Sequence, residues 1–186
     1  MNIRAKDFFE HWQNECATRH PTLFDNWNNN RVYNHCIFKG ENSIIDVIAK
    51  QLELKAYDEY YWIDAVLFAE CDDLVPSPPR PKHEVWLRRV RVAFEHEHDF
   101  DSGLYKEVAH LLITDCDLRV LVAYPDGDDQ LGREKSILHV LISGSDRADH
   151  ISETSSFLFI SGKKDVPANS VKWEGYIFRT NGWDKL

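Results

Sequence analysis

The chain has 186 residues, 43% of them hydrophobic and 12% aromatic, and 31 Asp and Glu against 22 Lys and Arg give a formal net charge of −9. That length and apolar content suit a single domain, residues 1–186, with a substantial core. The acidity excludes a surface given over wholly to nucleic-acid phosphates, because non-specific affinity comes from Lys and Arg neutralising the backbone, so local charge decides.

The four cysteines, at 16, 36, 71 and 116, include no C-x-x-C pair, and neither a zinc site nor a disulfide framework follows from their spacing. Charges break the apolar run near the N-terminus, unlike a signal peptide, and no stretch approaches the roughly 18 apolar residues of a membrane span. A soluble, reducing, cytoplasmic setting without membrane contact is the expectation.

In chain order, residues 5 to 19 read as an amphipathic helix with Phe8, Phe9, Trp12 and Cys16 on one side. The Asn26-Trp-Asn-Asn-Asn30 run reads as a loop. Asn42 or Ser43 caps a second helix striped by Ile44, Ile45, Ile48 and Leu52, with Glu53 near the edge of that stripe. Tyr60 to Ala69 is dense in aromatic and β-branched residues, as in a strand buried on both faces, and Asp64 is its only charged residue. A lone carboxylate there has to be paired, hydrogen-bonded or bound to a metal.

Cys71 to Lys82 is a proline-rich loop placed to border a substrate groove. Arg80, Lys82, Arg88, Arg89 and Arg91 then put five cations within 12 positions, opposed there only by Glu84. They are either a solvated face or contacts to a phosphate backbone.

Val90, Val92 and Phe94 lead as a β-prone run into Glu95-His96-Glu97-His98-Asp99. Alternation turns Glu95 and Glu97 to one face, with Asp99 in phase, and Phe94, His96 and His98 to the other. The histidines are therefore expected to pack locally rather than share a cation with the carboxylates. Two carboxylates on one strand and Asp64 from its neighbour can hold a hard divalent cation; Mg²⁺ is usually held by one or two carboxylates plus substrate phosphate oxygens. The competing reading is an exposed strand face that carries Glu-x-Glu.

Leu104, Val108, Leu111 and Leu112 then recur at helical spacing, with Asp101 or Ser102 placed to cap. Lys106, in the first turn, either reaches back to supply a cation to the site or is an ordinary exposed helix lysine. Leu118 to Tyr124 is a second apolar strand, so a crossover unit sets residues 90–98 and 118–124 side by side and parallel. Beyond Pro125, residues 126–129 form a turn, 131–142 carry a mixed helical signal, and 156–161 and 172–178 read as strands that extend the sheet. The absence of a Walker loop, a G-x-S-x-G motif and a dinucleotide fingerprint argues against P-loop hydrolysis and serine esterase chemistry.

From about residue 43 to 124, with Asp64 on one strand and Glu95-His96-Glu97 ending another, the chain resembles the PD-(D/E)xK nuclease superfamily. The resemblance implies an α/β (α+β) fold with a restriction-endonuclease-like mixed central sheet flanked by helices, extended by N-terminal helices and C-terminal strands. It makes Asp64 and Glu95 ligands of Mg²⁺ or Mn²⁺. Glu97 then occupies the position where lysine is usual, as in the minority Glu-x-Glu variant, and completes the coordination or orients the attacking water. A glutamate from the family's first helix joins the metal site in some of its members, which makes Glu53, near the edge of the 44–52 stripe, a further candidate, and Lys106 or an arginine among Arg88, Arg89 and Arg91 would offset transition-state charge.

DNA is the favoured substrate under that resemblance, and a homodimer is compatible with it. The pattern departs from the family in having Ile63 rather than proline before Asp64, no motif lysine, and two clear strands before the central helix where three are usual. The alternative is a non-catalytic acidic protein, such as an immunity or inhibitor partner of a basic toxin or nuclease, or a nuclease-like interaction module. Asp72, Asp73, Asp126, Asp128 and Asp129 would then serve an interface with a protein partner.

Overall fold

The strand at Val90–Glu97 shows how the chain sorts itself into layers. Val92 and Phe94 enter one apolar cluster, while Ala93 between them enters another on the far side. The computed structural model describes residues 3–74, 85–98 and 104–186. Among these, seven strands make one mixed sheet whose spatial order equals chain order: β1 (Lys55–Tyr60), β2 (Ile63–Phe68), β3 (Val90–Glu97), β4 (Cys116–Ala123), β5 (Phe157–Asp165), β6 (Ser170–Arg179) and β7 (Gly182–Lys185). The central β3, β4 and β5 run parallel, and the pairs outside them are antiparallel.

Helices α1 (Ala5–Thr18), α2 (His20–Asp25), α3 (Asn30–Ile37) and α4 (Ile44–Gln51) supply the core of one face. Helices α5 (Leu104–Ile113), α6 (Asp128–Ser143) and α7 (Ala148–Thr154) supply the other. Both parallel crossovers, α5 between β3 and β4 and α6–α7 between β4 and β5, lie on the same face, as two crossovers of one hand progressing across a sheet must. The expected mixed sheet flanked by helices is the observed architecture, and the expected β3–β4 pairing holds from Val90↔Cys116 to Glu97↔Ala123.

Local chemistry accounts for several boundaries. Ser43, rather than Asn42, caps α4, its hydroxyl accepting the Asp46 N–H at 3.2 Å. Asn29 caps α3, so the asparagine run ends one helix and starts the next instead of forming an extended loop. The caps expected for α5, Asp101 and Ser102, fall outside the described residues, as do Arg80, Lys82, Glu84 and Asp99.

Among the described residues, three strands, not two, precede α5. The additional one is β1, an edge strand of half-buried and exposed residues whose polar Lys55, Asp58 and Glu59 hide it from an apolar pattern. It turns directly into β2, with Tyr60 paired to Ile63, so the run from Tyr60 to Ala69 holds a tight turn as well as a strand. β2 then returns antiparallel to β3 in the register Ala65↔Phe94, which places Asp64 at the end of β2 beside Glu95.

Candidate metal centre

Asp64 and Glu95 meet where the β2–β3 ladder ends. Past Ala65↔Phe94 the strands part and the two carboxylates take over the backbone donors. The Asp64 N–H donates to Glu95 Oε2 at 3.2 Å, and Asp64 Oδ2 accepts the His96 N–H at 2.8 Å. Glu95 is fully buried, Asp64 half-buried. Glu97 ends the same strand in the same phase and is also half-buried, and its charge is felt at Asp64.

The opposite wall comes from α5, which packs on this face through Leu104, Val108 and Leu111. Glu107 and His110, three residues apart, flank that stripe and reach the carboxylates. His110 Nδ1 lies 3.3 Å from Glu95 Oε1 and 3.3 Å from Glu107 Oε2. Glu95, Glu107 and His110 each offer a ligand atom within 4.8 Å of the others. Sequence reasoning missed this pair. The available signal was a Glu-x-x-His step beside an apolar stripe, where a carboxylate is brought close to the sheet.

So many carboxylates in one place resist ionisation. Burial pushes the Glu95 carboxyl well above the usual range, and the charges of Glu107 and Asp64 push it further. Burial also pushes Asp64 up to about 6, against the His96 N–H that favours its charged form and with Glu107 and Glu97 adding repulsion. Such a cluster holds protons or a cation. Its donors, carboxylate oxygens with one imidazole nitrogen, fit a divalent ion: the oxygens suit Mg²⁺, and the imidazole adds affinity for Mn²⁺ and later first-row metals.

The other residues marked in the sequence lie apart from this cluster. Glu53 sits just past α4, exposed and at φ 57°, in the left-handed conformation that ends a helix. Lys106 is on the exposed side of α5, away from Leu104, Val108 and Leu111. Arg88, Arg89 and Arg91 gather at the opposite end of β3, where internal carboxylates occupy them. Arg91 grips Asp72 at 2.6 and 3.1 Å and Asp117 at 3.3 Å, while Arg89 pairs with Asp117. Asp72 is correspondingly buried, 2% exposed, rather than part of an acidic surface.

His96 and His98 do point away from the carboxylates, as alternation requires. His96 hydrogen-bonds the Tyr124 hydroxyl at 2.6 Å, and the His98 ring stacks on Tyr124 at 4.6 Å. A cation that the sequence did not single out, Lys39 just past α3, pairs with Glu59 at 2.5 Å and favours the charged form of Asp64.

A scan against protein-family models, a search of curated proteins and a search of solved structures each return no match for this chain. The functional reading therefore rests on the geometry of these side chains.

Proposed function

We infer that the protein is a divalent-metal-dependent phosphodiester hydrolase of the PD-(D/E)xK type, with DNA as the favoured substrate. The observation that carries this reading is the meeting of Asp64 and Glu95, 31 positions apart in sequence, across one strand pair in the order α4–β1–β2–β3–α5–β4. Asp64 and Glu95 would hold the ion, Mg²⁺ or Mn²⁺, joined by Glu107 and His110. When bound, such an ion polarises the scissile phosphate and lowers the pKa of a coordinated water.

The chain's own groups do the rest. The His96 and Asp64 N–H groups fix both central carboxylates before substrate arrives, which limits reorganisation during reaction. Glu97, at the strand end, would orient the attacking water and take its proton.

Calorimetric titration with Mg²⁺ and Mn²⁺, run beside cleavage of plasmid and of circular single-stranded DNA, tests the reading against an Asp64→Asn, Glu95→Gln double variant. Binding and cleavage should both vanish in a variant whose circular dichroism is unchanged. Full cleavage by the variant, or no metal bound by the wild type, removes the assignment.

A second reading, an acidic module that binds a basic protein, is favoured by one observation. Among the described residues, Arg89 and Arg91, expected to flank the carboxylates, are bound to Asp72 and Asp117, so they offer no cationic strip beside the site to set against the −9 charge. Partner affinity that survives the double variant unchanged would select it.

A further inference from the structure

The turn that delivers β2 to the site is built from unexpected residues. A two-residue hairpin loop of this kind needs positive φ at both positions, and Asn-Gly is the usual solution. Here Tyr61 and Trp62 take φ of 45° and 74°, and Glu59 beside them takes 55°. Strain of this sort in bulky residues persists where the surrounding structure enforces it, and it clusters at ligand-binding sites. Neither ring is buried: Trp62 is 83% exposed and Tyr61 68%.

The two rings share a cleft of about 620 Å³ with Glu59, Ile63 and Asp64. Trp62 is two residues from Asp64, at most about 7 Å of chain. A nucleic-acid strand whose phosphate lay at the Asp64–Glu95 carboxylates would thus bring its adjoining base to the rings. Aromatic faces stack on any base, but a base within a duplex already has both faces covered. Only an unpaired base presents a free one.

We propose that Tyr61 and Trp62 form a stacking platform for an unpaired nucleobase next to the scissile phosphate, so that the substrate is single-stranded or frayed. The proposal rests on the phosphodiesterase reading and names the substrate class of the same site. The strained turn is the device that holds the rings outward at the mouth of the cleft. Lys39, paired to Glu59 on the cleft wall, is a cation beside a strand lying there.

The test uses the full chain in the Asp64→Asn, Glu95→Gln background, where the two central carboxylates are replaced by neutral amides and no cleavage intrudes. Fluorescence anisotropy measures affinity for a single-stranded oligothymidylate of about 20 nucleotides and for a duplex of equal length. Trp62→Ala should weaken single-strand binding by about tenfold or more and leave duplex binding within about twofold. Trp62→Gly should weaken it equally while keeping or raising the melting temperature, because glycine accepts the positive φ, which separates stacking from folding.

Unchanged single-strand affinity in Trp62→Ala, no binding by the parent, or an equal loss on both substrates overturns the platform. A dimer that becomes a monomer in Trp62→Ala, with oligonucleotide affinity unchanged, places a second copy of the chain on the turn instead and overturns it as well. Cleavage of circular single-stranded DNA and of plasmid by the wild-type chain is scored separately, so failure of the platform and failure of the phosphodiesterase reading are distinct results.

Discussion

Removing the charge at position 64 should make the metal-free protein more stable at high pH. Burial, with Glu107 and Glu97 adding repulsion, pushes the folded Asp64 carboxyl from 3.8 up to about 6. Between those values the folded chain keeps a proton that the unfolded chain has released. The resulting stability is fully present below about pH 3.8 and is lost as pH rises through about 6. At about 1.4 kcal/mol for each tenfold difference in proton affinity, the loss amounts to about 3 kcal/mol by pH 8.

Asparagine keeps an oxygen to accept the His96 N–H, so Asp64→Asn removes the charge without orphaning the backbone. In EDTA the variant should exceed the wild type by about 3 kcal/mol at pH 8, a rise of about 6–12 °C in melting temperature for a chain of this size. Near pH 4 the two should differ little. Comparing variant with wild type cancels the buried imidazoles of His96 and His98, both lowered by burial, His98 to about 4, because they are present in both proteins. Urea and thermal unfolding followed by circular dichroism from pH 4 to 8 measure the gap. Saturating Mn²⁺ should then stabilise the wild type and not the variant. A variant less stable than wild type at pH 8, or a gap that does not change with pH, would refute this account of the cluster.

His110→Ala should lower Mn²⁺ affinity more than Mg²⁺ affinity in calorimetry, since it removes the nitrogen donor and leaves the oxygens. Arg119→Met should cost about 3 kcal/mol in urea unfolding: the guanidinium is 2% exposed and donates to Leu111 O at 2.9 Å and Thr114 O at 2.7 Å, closing the C-terminal end of α5. Asp72→Asn should cost a similar amount, about 3 kcal/mol, at pH 7 by leaving Arg91 short of its main partner. Because Arg91 holds the Asp72 carboxyl below its ordinary range, that stability is present above about pH 4 and fades as pH falls through the lowered value, so the gap to the variant should close in acid. Gly162→Ala should destabilise by about 1–3 kcal/mol, since an added Cβ meets Trp173 at 2.6 Å and Tyr124 at 2.7 Å; an unchanged melting temperature would show that both rings can move aside.

Elements that bury a regular apolar pattern were legible. The stripe Phe8, Phe9, Trp12 and Cys16 marked α1, the isoleucines behind Ser43 marked α4, and the apolar runs of β3 and β4 around the α5 stripe marked a parallel crossover. Elements whose reason lies outside their own sequence were not. β1 is polar because it is an edge, and β7 is four residues long and leans on β6. Short α2, α3 and α7 are held by packing more than by pattern.

The same division runs through the site. Alternation within one strand put Glu95 and Glu97 on one face and the histidines on the other, because a strand's period depends on local backbone geometry alone. That Asp64 lies beside Glu95 depended on the register Ala65↔Phe94, a pairing between segments far apart in the chain. Tertiary packing also brought Glu107 and His110 down onto Glu95 and drew Arg88, Arg89 and Arg91 away to Asp72 and Asp117. A charge responds to whatever the fold places within a few ångströms of it. The sequence by itself therefore determined which residues carry the chemistry of β3 and which way they face, and only the folded chain decided which of the molecule's charges they meet.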